Sequence, residues 1–395
     1  MLEFEIYAPI NIPINWQSEL ITDNEQRYDI LKKHLSSIRE VNTQKHCWPM
    51  GYGSLEHDNF PEFYQPCAIL EIPAFEAEKE ISHVKLYVYD NCLAVLHLGL
   101  IVNADIINID DLVISKRVED LSQKYLAPIL KLIYQLNPVS PLIHPSAYKF
   151  FNHNKDELIN ARPLWVARML TQSKNLSAEH YLGWLKNIDA KSEILQLGSG
   201  NSLLKNKKYF SDVNRIMVMS QFHAALMDRV ENLLKDNLKK FNGNYYHENT
   251  LDSSFSNQQF RNDHIEYINI QISAAASGAQ GRRRELLQQF NIAWGVNEQR
   301  ERIYQLMNLT QARIDRLLQE KLRLQNRNIQ TLLAFIGSLG IISLVIDLID
   351  VENNVGHDKT AGLLDLIQFF SAEDLITLTV IIVVFITFYF YKNHE

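Results

Sequence analysis

The sequence predicts an α+β cytoplasmic region, a long stalk helix and two C-terminal transmembrane α-helices. Three observations carry that expectation. Strand-like alternation and short amphipathic stretches intermix up to about residue 275. From Val296 to Gln330 there is no Pro or Gly, and the apolar residues keep a helical period. Two apolar runs then follow, each close to the length that crosses a hydrocarbon core as a helix.

Leu2, Phe4 and Ile6 alternate as one face of a strand. Residues 24–38 suit a helix, with Asn24 placed as its N-cap. The Pro- and Gly-bearing stretch 47–66 reads as a loop. Strands are predicted over 68–72, 83–89 and 93–102, the last two joined by a short turn beginning Asp90-Asn91. Over 116–135 a helix aligns Val118, Leu121, Tyr125, Leu126, Ile129, Leu132 and Ile133 on one face, and Pro128 should kink or split it. Strands over 164–170, 193–197 and 215–219 precede a helix over 223–241, and a further strand is predicted over 265–272. Strands alternating with helices in this way imply a sheet with helices packed on it, across a cytoplasmic region of residues 1–275 with a subdomain division near 140–160.

The stalk helix is placed over 276–330. Ile303, Met307, Thr310, Ile314, Leu317 and Leu324 recur in steps of three and four, as in a coiled-coil seam, with the polar Lys321 and Asn328 on the same line. Leu306, Leu309, Leu318 and Leu322 widen the stripe. Unbroken from Val296 through residue 349, such a helix would reach on the order of 80 Å, too long to bury its stripe in one small domain. It calls for copies of itself.

The first apolar run, TLLAFIGSLGIISLVIDLI, occupies 331–349, and the second, LITLTVIIVVFITFYFY, occupies 375–391. Two buried core helices are the alternative, but the second run has no polar face. Arg313, Arg316, Lys321, Arg323 and Arg327 crowd the approach to the first run, and Lys392 follows the second. The connecting loop, 350–374, carries six carboxylates against one lysine. The positive-inside rule then places that loop outside and both ends, including the tail 392–395, in the cytoplasm of a bacterial inner (plasma) membrane. The start MLEFEIYAPINIP lacks the pattern of a signal peptide, in keeping with a cytoplasmic N-terminal region. Cys47, Cys67 and Cys92 show no paired or metal-type spacing, which suits a reducing compartment. Most of the net charge of −7 sits in the acidic loop, so no basic field predicts direct nucleic-acid binding.

A cytoplasmic α/β region, a stalk helix entering the first span, a short acidic outer loop and a brief tail together resemble the CorA family of metal-ion transporters. The resemblance is architectural and clearest over residues 297–395. It implies a homo-oligomer, a pentamer in that family, with stalk and first span around a central pore. The family's Gly-Met-Asn motif after the first span is absent, and the sequence there reads LIDVENNVGHDK. CorA-like proteins without the motif include membrane effectors of antiviral defence, some gated by nucleotide messengers. The resemblance thus implies a ligand-gated ion leak first, a divalent-cation transporter second and a non-conducting membrane anchor third.

With the first span lining a pore, the heptad line of the stalk runs through Asn328, Thr331, Phe335, Ser338 and Ile342, a wet path with hydrophobic constrictions. Packing between helices explains Gly337, Ser338 and Gly340 equally well. Asp347 and Asp350 form either acidic rings that attract a divalent cation or ordinary carboxylates at a helix end. Residues 361–370 form an interfacial helix or a cap over the pore mouth. Arg282, Arg283 and Arg284 stand near a helix start, where they either receive an anionic ligand such as a nucleotide or pair with nearby acids. Gly198-Ser199-Gly200 reads as a plain turn. His144, His153 and His180 show no ligand spacing, and no HExxH, GxSxG, Walker A or paired-Cys motif nominates catalytic residues or an enzyme. The partners implied are membrane lipid, further copies of the chain and a small nucleotide activator.

Overall fold

Period-two apolar patterning makes the first residues a strand, β1 (Leu2–Asn11), and it becomes an inner strand of an eight-stranded sheet. In chain order the other strands are β2 (Asn42–Gln44), β3 (Ala68–Glu71), β4 (Ile81–Val88), β5 (Leu93–Val102), β6 (Ala167–Thr171), β7 (Leu195–Leu197) and β8 (Asn201–Leu204). Their order across the sheet is β2-β3-β4-β5-β1-β6-β8-β7, and every neighbouring pair is antiparallel except β6 with β8. The computed structural model describes residues 2–16, 24–44, 64–102, 111–143, 154–171, 194–198, 200–243, 251–354 and 371–392. The chain divides into two compact units, Met1–Thr310 and Gln311–Glu395.

In the first unit both faces of the sheet are covered. Phe4, Ile6, Ala8 and Ile10 of β1 join Leu96, Leu98 and Leu100 of β5 on one face. Against them pack α1 (Asn24–Leu35), α2 (Asp111–Leu121) and α3 (Ala127–Gln135), through Leu31, Leu35, Val118, Leu121, Ile129 and Ile133. A π turn, Ser122–Leu126, separates α2 from α3, and Pro128 lies in the first turn of α3, where its missing N–H costs nothing. The short α4 (Lys155–Ile159) is capped by Asn154, whose side chain accepts from the Glu157 N–H at 2.9 Å.

The other face carries Tyr7, Tyr87, Tyr89, Val95 and Met169, covered by α5 (Phe210–Gly243), α6 (Leu251–Gly278), α7 (Arg282–Ala293) and the start of α8 (Val296–Asn354). Gly281 (φ +55°) precedes α7 and Gly295 (φ +61°) separates α7 from α8, conformations that glycine takes without strain, so residues 276–330, expected as one stalk helix, comprise the end of α6, α7 and part of α8. Strands from both sides of residues 140–160 share the one sheet.

Two expected strands are helix. Residues 215–219 lie in α5, where Val213 to Phe222 is buried without interruption. All-round burial erases the amphipathic signal and leaves a short apolar run that reads as a strand. Residues 265–272 lie in α6, whose buried positions Ile265, Ile268, Ile272 and Ala275 have helical spacing while Ile270 is exposed. The strands β2 and β8, three and four residues long, were not foreseen. The β4–β5 hairpin was foreseen. Its turn residues Asn91 and Cys92 both have positive φ, as a two-residue hairpin turn requires. From α5, Arg229 donates to the Asn91 carbonyl at 2.6 Å and to the Cys92 carbonyl at 3.4 Å.

In the second unit, α8 runs on to Asn354, and α9 (Ala372–Lys392) follows. Ser371 caps α9: its Oγ accepts from the Asp374 N–H at 3.1 Å and donates to the Asp374 carboxylate at 2.6 Å. Among the described residues of this unit, Ile314, Ser338, Thr379 and Val383 are buried. The loop 47–63, the segment 355–370 with most of the acidic loop, and His144, His153 and His180 lie outside the described residues.

Candidate functional site

Three strands bring Glu5, His83 and His97 together. Across β1, β5 and β4, Glu5 stands opposite Gly99, and Gly99 stands opposite His83. His97 lies two residues along β5 from Gly99, on the same face because side chains alternate with period two. Glycine between the carboxylate and the imidazole leaves the space they share. A Cβ at position 99 would collide with Ser82 Oγ and stand 2.7 Å from His83 Nδ1 and Cε1.

The polar atoms converge on one point. Glu5 Oε2 lies 2.7 Å from His97 Nε2 and 3.1 Å from His83 Nε2, and the two Nε2 atoms are 3.4 Å apart. His97 stacks on Tyr7, ring centroids 4.6 Å apart and planes within 4°. Tyr7 in turn donates to Asn214 of α5 at 2.9 Å. The side chains of Glu5 and His97 are 8% and 4% exposed and that of His83 is 34% exposed, so the cluster opens to solvent on the His83 side alone.

Burial works against charge on both inner groups. It pushes the Glu5 carboxyl up, but hydrogen bonds and charge from His83 and His97 outweigh it and hold the group at about 2. Burial also pushes the His97 imidazole below its ordinary value, against the pull of Glu5. His97 Nδ1 is buried and has no hydrogen-bond partner among the described residues. Sequence reasoning passed over all three residues. The signal it had was a lone histidine inside the apolar run LAVLHLGLIV and a glutamate inside LEFEIYAPIN.

The residues singled out from the sequence are scattered. Arg283 donates to Asp212 at 2.9 Å, and the Arg282 guanidinium lies 4.1 Å from the Tyr209 ring centre, while Arg284 is exposed. Two of the three arginines are thus engaged within the chain. Gly198 and Gly200 lie in the turn between β7 and β8, where the Gly198 N–H donates to the Asn201 carbonyl.

On α8, the heptad line divides. Ser338 is buried, Thr331 and Ile342 are half-buried, and Asn328 and Phe335 are exposed. Thr331 and Ser338 turn their hydroxyls back to the carbonyls of Arg327 and Ala334, at 2.9 and 2.6 Å. Asp347 and Asp350 are exposed near the end of the helix. Ile303 and Met307, at the start of the seam, pack into the chain's own second core.

Among the described residues one helix, over Val296–Val351, is long and apolar enough to cross a membrane, and only 6% of its most apolar 18-residue stretch is buried. Leu332, Leu333, Phe335, Ile336, Leu339 and Leu344 are all exposed there. The chain matches no family model, no curated protein and no solved structure.

Proposed function

We propose that this chain is a membrane-embedded homo-oligomer of CorA-like architecture, plainest as a pentamer, in which the sheet-bearing region binds a ligand and the C-terminal helices pass ions in response. A nucleotide messenger and a role in antiviral defence follow from the same architectural likeness. The observation that carries the reading is the bare apolar surface of α8 beyond residue 330. Left in water, exposed side chains such as those from Leu332 to Leu344 would cost on the order of 10 kcal/mol, which a hydrocarbon surround removes. The second apolar helix, α9, is 21 residues long and leaves Ile381, Val384, Phe385 and Phe388 exposed. The two together make a membrane pair, with the basic approach to the first held in the cytoplasm.

Planar-bilayer recording on purified full-length protein tests the proposal. The bilayer should stay silent until a nucleotide messenger is added and then carry discrete currents. Divalent flux without any messenger would favour a transporter with Asp347 and Asp350 at its mouth. Silence under every condition, from protein shown to be inserted, would leave only a membrane anchor.

A further inference from the structure

We propose that Glu5, His83 and His97 bind one divalent first-row transition-metal ion, with zinc as the probe, through Glu5 Oε2, His83 Nε2 and His97 Nε2. This site lies on the sheet, and the proposal stands independently of what the membrane helices do.

The first argument is geometric. Ligand atoms around an ion with bonds of about 2.1 Å stand about 3.0–3.4 Å apart in octahedral or tetrahedral arrangements. The three atoms here are 2.7, 3.1 and 3.4 Å apart. Only the Glu5–His97 edge must open, by a few tenths of an ångström. All three ligands sit on adjacent hydrogen-bonded strands, so the arrangement is in place before any ion arrives.

The second argument is outer support. Ser82 Oγ donates to Glu3 Oε1 at 3.2 Å and lies 3.1 Å from His83 Nδ1. This Ser82–Glu3 chain behind His83 is the kind of support that orients a metal-binding imidazole through its far nitrogen.

The third argument is selectivity and access. Two imidazoles and one carboxylate suit zinc, iron, cobalt or manganese better than the all-oxygen preferences of calcium and magnesium. The half-open position of His83 leaves room for solvent in the remaining coordination positions. Gly99 is part of the design, because any larger residue displaces His83 and Ser82.

The test is zinc titration of untagged full-length protein in detergent, stripped of metal and monitored with a competing chromophoric chelator. One zinc should bind per chain. Replacing a ligand, by His83→Ala or Glu5→Gln, should weaken binding at least about 100-fold. Gly99→Ala removes no ligand and should still weaken it on the order of 10-fold, in the range of outer-support effects. His83 is partly exposed, so His83→Ala keeps the fold, as circular dichroism will register, even where Glu5→Gln does not. Cobalt loading should give visible ligand-field bands that vanish in His83→Ala. Failure to bind zinc stoichiometrically, equal affinity in His83→Ala, or imidazole NMR in which His83 keeps both ring protons with zinc present would each overturn the proposal in favour of a proton-bridged cluster.

Discussion

His264 is held in the fold as a neutral ring. It lies on α6, half-buried, and its Nε2 is 3.0 Å from Asn91 Oδ1 in the β4–β5 turn. Burial pushes its pKa down from 6.5 to about 4. The folded state therefore resists protonation that the unfolded chain accepts. Stability is complete above about pH 6.5 and falls as pH drops from there toward about 4, by on the order of 2–3 kcal/mol. Replacing His264 by Gln, which can still donate to Asn91, should flatten that limb of a thermal-melt profile measured between pH 7 and pH 4. At this same scale the sequence was least legible. Glu5 and His97 are 92 residues apart and His83 belongs to a third strand, so their meeting depends on strand order and register, which no local pattern encodes.

At the scale of elements, legibility followed the physics of burial. The strand over 93–102 was readable because its Asn-bearing turn and apolar run agree with one another. The α5 segment was not, because a helix buried on all sides offers no polar face to set its period. In α6, Ile268, Ile270 and Ile272 alternate as a strand face would, but Ile265, Ile268 and Ile272 also keep a helical spacing, and their tertiary packing decides for helix. The short strands β2 and β8 fall below the length at which alternation is detectable at all. The packing of α5 on the sheet centres on Phe222, fully buried and stacked on Tyr89 at 4.1 Å with planes within 9°. Phe222→Ala should cost about 3–5 kcal/mol, read as a lower unfolding midpoint, while Ile270→Ala on the exposed face of α6 should change it by less than about 0.5 kcal/mol. Equal effects would contradict the packing described here.

For the whole molecule, one sequence signal did more than all the others: an apolar run of hydrocarbon length within α8 that the chain leaves uncovered. Composition averages concealed it, since the mean hydropathy is −0.17. Of the stalk seam, Ile303 and Met307 pack into the chain's own core, whereas Leu318 and Leu322, which widen the stripe, are exposed on α8. The proposed oligomer would use that exposed part. Leu318→Asp with Leu322→Asp should therefore reduce the assembly to smaller species in light scattering without unfolding the sheet, and an unchanged mass would remove the stalk from the proposed oligomer.

Cysteine accessibility in intact cells tests the membrane reading most directly. With Cys47, Cys67 and Cys92 replaced by serine, a single cysteine at Asp350 and another at Gln319 bracket the apolar stretch of α8. A membrane-impermeant maleimide should label Asp350→Cys from outside and reach Gln319→Cys only after the membrane is permeabilised. Labelling of both positions from the same side, or recovery of the unlabelled chain in the soluble fraction without detergent, would contradict it.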